Sequence, residues 1–322
     1  MNQQLTGRGI VILYDDFSPI WLDWMHQGGL NVLGLHGLPD NHTSNVDEDA
    51  FLQWVQKEEN RSLVKQFEAD GITVEYELHV ASWLLPRSYF EQHPTWFRMD
   101  REGKRTNDFN FCPSSAEALA VVRENAFHLA EILQQKSHNY YFWLDDKPDT
   151  SCHCTDCRTL SGADQNLLIM NEILKGLRRY DPEARLAYLA YSDALSTPQI
   201  RPAEGIFLEF APMHRDHTKP ITDAADPRNI TYARLLLQLA DRFDLSQAHI
   251  LEYWLDNALY SDYQKPPVKV PFEETVMERD VAFYRSLGID FITSFGAFLN
   301  EEYQALHGTP PIRRYGEILN GQ

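Results

Sequence analysis

The chain has 322 residues, 43% of them hydrophobic, which excludes a mini-domain and suffices for one large core. Its net charge of -18 argues against a nucleic-acid partner, which needs clustered Lys and Arg to displace counterions. No stretch reads as a secretory leader or as an apolar run of the roughly 20 residues a bilayer span requires, so we expect no membrane partner and a cytoplasmic location where thiols stay reduced.

Short β-branched and aromatic runs alternate with helical stretches along the chain, the pattern of parallel strands joined by helical crossovers. The expected strands are Gly9–Asp16, Leu30–Gly37, Ile72–Val80, Asn139–Asp146, Arg185–Asp193, Gly205–Pro212, His249–Asp256 and Phe291–Phe298. Helices are expected over Phe51–Ala69, Ser114–Gln135, Gly162–Arg179, Arg228–Phe243, Phe272–Leu287 and Glu301–Leu319. Eight strands with eight connections predict an α/β fold, a single (β/α)8 TIM barrel spanning residues 1–322. Ser114 and Glu117 read as a capping box, and Gly71 and Gly288 as helix ends. The loops Trp83–Phe111 and Met213–Asn229 are long enough to suggest function.

A TIM barrel carries its active site at the C-terminal ends of the strands, and here those ends are polar. They hold Asp15, His36, Glu77, His79, Asp145, Asp146, Tyr191, Asp193, Glu209, Glu252, Trp254 and Asp256. Alternation along strand three places Glu75, Glu77 and His79 inward, and along strand seven it places Glu252, Trp254 and Asp256 inward. Carboxylates beside aromatic platforms are the equipment of glycoside hydrolysis, with Trp83, Trp143 and Trp254 available to stack on a sugar. Any one of these acids taken alone reads equally well as a helix cap or a solvated loop residue. Acids at six strand ends together favour a carbohydrate site.

The segment SCHCTDC supplies Cys152, Cys154 and Cys157, and Cys112 precedes the helix leading into the same strand. Four thiolates give the ligand count of a structural zinc site with no open position for water. His153 is an alternative ligand within the motif, and free buried thiols or disulfides are the metal-free readings.

The pieces HPTWF (93–97), FCPSS, the aspartate-bearing strand before CHCTDC, and RLAYLAYSDALSTP resemble the family known as domain of unknown function 4838. LEFAP (208–212) and EYWLDNALY (252–260) look like its later strand ends. The resemblance implies a carbohydrate-associated barrel similar to glycoside hydrolases, and more distantly to β-hexosaminidase types with adjacent acids after strand four. The Asp-Asp-Lys-Pro turn departs from the glycine-rich turn that this resemblance implies. We therefore expect a glycosidase with Asp146 as general acid and Asp145 as its partner, the latter orienting an acetamido group if catalysis is substrate-assisted. Glu252 or Glu209 would otherwise serve as nucleophile or base. Two rivals are a non-catalytic sugar-binding barrel and a metal-dependent hydrolase or isomerase using His36, His79, Glu209 and Asp256.

Overall fold

A computed structural model describes residues 5–38 and 48–322. Strands β1 (Gly7–Leu13), β2 (Val32–His36), β3 (Thr73–His79), β4 (Asn139–Trp143), β5 (Arg185–Ala190), β6 (Ile206–Phe210), β7 (His249–Glu252) and β8 (Phe291–Ser294) form a closed barrel in chain order. Every neighbouring pair is parallel, and β8 returns to β1 through Gly7 opposite Phe291 and Arg8 opposite Ile292. The fold is the expected (β/α)8 barrel.

The surrounding helices are α1 (Ile20–Gly28), α2 (Glu48–Gln56), α3 (Glu58–Ala69), α4 (Ala81–Leu84), α5 (Ala116–Ile132), α6 (Gly162–Tyr180), α7 (Pro227–Leu239), α8 (Asn257–Tyr260), α9 (Glu274–Ser286), α10 (Glu301–His307) and α11 (Ile312–Leu319). None of the described helices is long and apolar enough to cross a membrane. The stretch expected as one helix over 51–69 is broken at Lys57, whose extended backbone starts α3 afresh. Likewise the last expected helix divides at Gly308 and the two prolines that follow, where φ is +80° at the glycine and proline cannot continue the hydrogen-bond ladder. Gly71 and Gly288 do end their helices with φ of +83° and +84°. The cap of α5 is one residue later than expected: Ser115 accepts from the Ala118 amide at 3.3 Å, which releases Ser114 for another task.

The main core lies between barrel and helices, where Val74, Tyr76 and Leu78 of β3 meet Phe51 and Phe67. Trp21 and Trp24 of α1 pack edge to face with ring centroids 4.9 Å apart, each burying enough apolar surface to contribute about 1.5–3 kcal/mol or more. Helix α11 is tied to β1, because Tyr315 donates its hydroxyl hydrogen to the Gly9 carbonyl at 2.6 Å. That docking requires glycine at 316, where a Cβ would fall 1.7 Å from the Gly28 carbonyl oxygen. Gly316→Val is expected to cost about 1–3 kcal/mol or more through overpacking, read as a lower denaturant midpoint with an unchanged slope.

Candidate active site and metal centre

The barrel interior is built in polar layers. At the bottom the Tyr141 hydroxyl lies 2.9 Å from Glu75 and 3.0 Å from His249, whose ring stacks on Phe291 at 3.6 Å. Above them sit Glu77 and Glu209, the latter accepting the Trp143 indole hydrogen at 2.8 Å. Space for Glu77 comes from Gly34 on β2, where a Cβ would meet Glu77 Oε1 at 2.3 Å and Val11 at 2.9 Å. Burial pushes the Glu75 carboxyl up to about 7. Burial together with neighbouring glutamates drives Glu77 and Glu209 well above the usual carboxylate range. The inward face expected for β3 is thus observed, but Glu77 and Glu209 lie beneath the mouth and do not line its cavity.

The mouth is a cavity of about 400 Å³ to which all eight strands or the turns after them contribute. Its polar wall comprises Asp15, His36, His79, Asp146, Tyr191, Asp256, Tyr263 and Lys265, and its apolar wall includes Trp143, Met213, Leu251, Tyr253, Phe295 and Phe298. Of the residues expected to bind substrate, Asp15, His36, His79, Trp143, Tyr191 and Asp256 meet here, as does Asp146. Asp256 is 5% exposed and caps α8 through the Leu259 amide. Desolvation raises its carboxyl to about 7, against the pull of the capping amides. Burial also raises Asp15, and the Lys265 charge opposes it. Lys265 rests over the Phe298 ring at 5.0 Å. Asp16, next to Asp15 in the chain, lies outside the cavity lining and accepts from the Phe298 amide and the Asn300 side chain at 2.7 and 2.6 Å, which ties the β1 and β8 turns together.

Five expected site residues lie elsewhere. The face expected for strand seven is reversed: Leu251 and Tyr253 point into the barrel, while Glu252 and Trp254 point out toward the helices. Glu252 meets Arg215 at 3.2 Å and the Tyr284 hydroxyl at 2.5 Å, and Arg215 also binds Asp280 at 2.6 Å. Trp254 is 3% exposed and donates to Asp280 at 3.1 Å, so it is part of the core beneath the helices and no sugar platform. The strand ends at Glu252, and Asp256 reaches the mouth through the following turn and not through strand alternation. A buried carboxylate paired with a distant arginine can occupy the side that polarity alone assigns to the mouth. Because Arg215, Glu252 and Asp280 are all enclosed, Arg215→Met should destabilise the protein by about 3–5 kcal/mol by orphaning two buried acids. Denaturant titration would show this as a lowered midpoint, and an unchanged midpoint would remove the ion cluster from the stability account.

Asp145, Asp193 and Trp83 also lie outside the mouth cavity. Asp145 pairs with Arg87 at 2.8 Å, and its side chain is 1% exposed. Its amide donates to Asn110 at 2.9 Å, and it lines a small cavity of about 30 Å³ together with Asp193 and Thr150. Asp193 accepts from the Asp149 and Thr150 amides at 2.9 and 2.8 Å and from the Ser151 hydroxyl at 3.2 Å, so it clamps the cysteine loop. The Trp83 indole points to Asp49. The residues that sequence reasoning missed, Tyr253, Tyr263, Lys265, Phe295 and Phe298, come from an inverted strand face and from loops, which carry no periodic signal.

The four cysteines gather in a buried cluster whose sulfur atoms all lie within 4.8 Å of one another. Cys112 is 3.7 Å from Cys154 and 3.8 Å from Cys157, far beyond a disulfide bond, and all four are free. Thiolates at about 2.3 Å around a tetrahedral zinc would stand about 3.8 Å apart, so these spacings fit a metal. Supporting donors surround them: the Met99 amide 3.3 Å from Cys152, the Arg105 guanidinium 3.7 Å from Cys152, and the freed Ser114 hydroxyl 2.9 Å from Cys157. Gln165 fixes the loop by accepting the Cys152 amide at 2.8 Å and donating to the Cys152 carbonyl at 3.0 Å. His153 stands outside the four-residue cluster. The centre joins the loop after β3, which carries Arg87, Arg98 and Cys112, to the loop after β4, which carries Asp145, Asp146 and the other cysteines.

A parallel barrel with an acid- and aromatic-lined cavity at its C-terminal mouth is the architecture of many glycoside hydrolases. The chain belongs to the family described as Domain of unknown function (DUF4838), which it matches over residues 39–301. Among solved structures it is similar to PbGH5A, a glycoside hydrolase family 5 enzyme from Prevotella bryantii B14, at 12% identity and a TM-score of 0.56, covering 95% of this chain and 87% of that one. It is likewise similar to the cellulose synthase subunit CcsZ from Clostridioides difficile, at 12% identity and TM-score 0.53, covering 97% and 99%. A third similar structure is the family 42 β-galactosidase Gan42B from G. stearothermophilus, at 12% identity and TM-score 0.53 when its E323A variant is compared. There the match covers 99% of this chain and 57% of the other, so the chain spans little more than half of that enzyme. These likenesses show the fold. A comparison with curated proteins finds no match.

Proposed function

We propose that this protein is a glycoside hydrolase whose reacting carboxyls are Asp146 and Asp256. The observation that carries the reading is that two acids from opposite parts of the rim, after β4 and after β7, face one aromatic-walled cavity. Tyr253 stands near both: burial first, and then the charges of Tyr191, Asp146 and Asp256, hold its phenol well above its ordinary value. Desolvated Asp256, raised to about 7, holds a proton near neutrality and is suited to protonate the glycosidic oxygen as the bond to the anomeric carbon breaks. Sequence reasoning gave that role to Asp146; burial favours Asp256. Asp146 then serves as the second carboxylate. If the two carboxyls stand about 5 Å apart, Asp146 attacks the anomeric carbon directly, whereas roughly 6.5–9.5 Å leaves room for a water whose proton Asp146 takes.

The substrate-assisted route would need Asp145 beside an acetamido group, and its pairing with Arg87 outside the cavity speaks for the two-carboxylate route. In the same proposal Cys112, Cys152, Cys154 and Cys157 hold one structural zinc ion that braces the loop carrying Asp146. The arginine clamp on Asp145, next to Asp146, favours a second reading, a barrel that binds glycans without cleaving them. Incubating the purified protein with a panel of aryl glycosides and oligosaccharides separates the two. Release of a reducing sugar that Asp146→Asn abolishes supports hydrolysis, and saturable binding with no release across the panel supports the binding protein.

A further inference from the structure

We propose that His36 and His79 form a paired acceptor subsite, which selects a sugar by hydroxyl groups on two neighbouring carbons. This rests on the cavity being a carbohydrate site and adds which face of the sugar it reads.

A neutral imidazole has one donor and one acceptor, and the partner of one nitrogen decides the role of the other. His36 Nδ1 lies 2.6 Å from the Glu77 carbonyl oxygen, and His79 Nδ1 lies 2.5 Å from the Leu144 carbonyl oxygen. A carbonyl can only accept, so both Nδ1 atoms carry the hydrogen. In its neutral form each ring then offers a lone pair at Nε2. Burial lowers His36 to about 4, with adjacent His79 acting in the same direction, so His36 stays neutral in ordinary conditions and its Nε2 does not switch to a donor.

Packing pins both rings. They stand nearly perpendicular, at 88°, with centroids 5.7 Å apart, and they pack against Trp143 at 5.7 and 5.2 Å. His36 also packs edge-on to Phe295 at 5.3 Å. Two fixed acceptors on neighbouring strands β2 and β3, beside one indole, thus face the same cavity. Hydroxyls on adjacent ring carbons can satisfy both, since each reaches outward by one hydrogen-bond length of about 2.8 Å and the two can diverge toward rings whose centroids are 5.7 Å apart. Such a subsite discriminates sharply, because a sugar lacking either donor leaves a buried lone pair unmet.

The test uses methyl β-D-glucopyranoside and methyl β-D-galactopyranoside with their monodeoxyfluoro derivatives, since fluorine retains the size and polarity of a hydroxyl but cannot donate. Binding is read by calorimetry, and the imidazole tautomers by nitrogen-15 NMR. For a parent sugar that binds, fluorination at two adjacent positions should each weaken binding by about tenfold or more. His36→Phe should erase the penalty at one of those positions and His79→Phe at the other. Tolerance of fluorine at every position, sensitivity at non-adjacent positions, or penalties indifferent to both histidines would overturn the subsite. So would an Nε2-protonated tautomer of either ring, whether or not a sugar binds. Failure of both parent sugars to bind, with both rings protonated at Nδ1, would count against the carbohydrate reading of the cavity and leave the acceptor geometry standing.

Discussion

Asp256→Asn is expected to lower turnover of glycosides with poor leaving groups by about 10²–10⁴, the usual worth of general-acid assistance, while sparing substrates whose leaving group needs no proton. Asp146→Asn should instead lose both classes, because a carboxylate that attacks or activates water is required whatever departs. Asparagine is nearly isosteric in each case, so unchanged thermal midpoints would accompany the losses. The pH dependence carries a sign: the donor must be protonated, so kcat/KM on a poor substrate should fall as pH rises through about 7, and Asp256→Asn should remove that limb. If Asp146→Asn alone spares good leaving groups, the two roles are exchanged.

For the proposed zinc centre, removal of the metal is expected to have the second large effect. Zinc held by four thiolates couples binding to folding, and loss of such a centre removes a large stabilising term. Cys154→Ser, or chelation of the wild type, should lower Tm by roughly 10 °C or more. Arg98 bridges Asp108 and the Asp149 carbonyl, and Asn110 bridges Asp145 and Thr150, so the centre braces a network that ends at the loop bearing Asp146. Partial loss of metal should therefore reduce kcat before it alters which sugar is preferred. Elemental analysis of purified protein that finds well under one metal ion per chain, together with four titratable thiols, would remove the centre from the account.

Much of this architecture is legible in the residues because each strand is a short run that only a buried barrel accommodates. The cysteine centre was legible for a different reason. A C-x-C-x-x-C loop and one cysteine just ahead of the preceding helix are brought together by the β/α order itself. The face of β7 was not legible, since Glu252 looks like a mouth acid until Arg215, 37 positions away, is seen beside it. Asp256 reaches the mouth through the turn after β7, since the strand alternation that points to it stops at Glu252. Asp193 is indistinguishable from a substrate ligand in the sequence because its two shortest partners are backbone amides, which sequence does not display. Lys265 and Tyr263 belong to a loop whose path depends on tertiary packing, with Tyr263 at φ 56°.

The measurement that bears most directly on the central claim is a crystal structure of the Asp256→Asn variant soaked with an oligosaccharide identified by the hydrolysis panel. The account predicts a glycosidic oxygen within hydrogen-bond reach of residue 256, the Asp146 carboxyl near the anomeric carbon, and a sugar ring beside Trp143. A glycan bound away from the barrel mouth, or one lying in the mouth with its glycosidic bond remote from both positions, would contradict it.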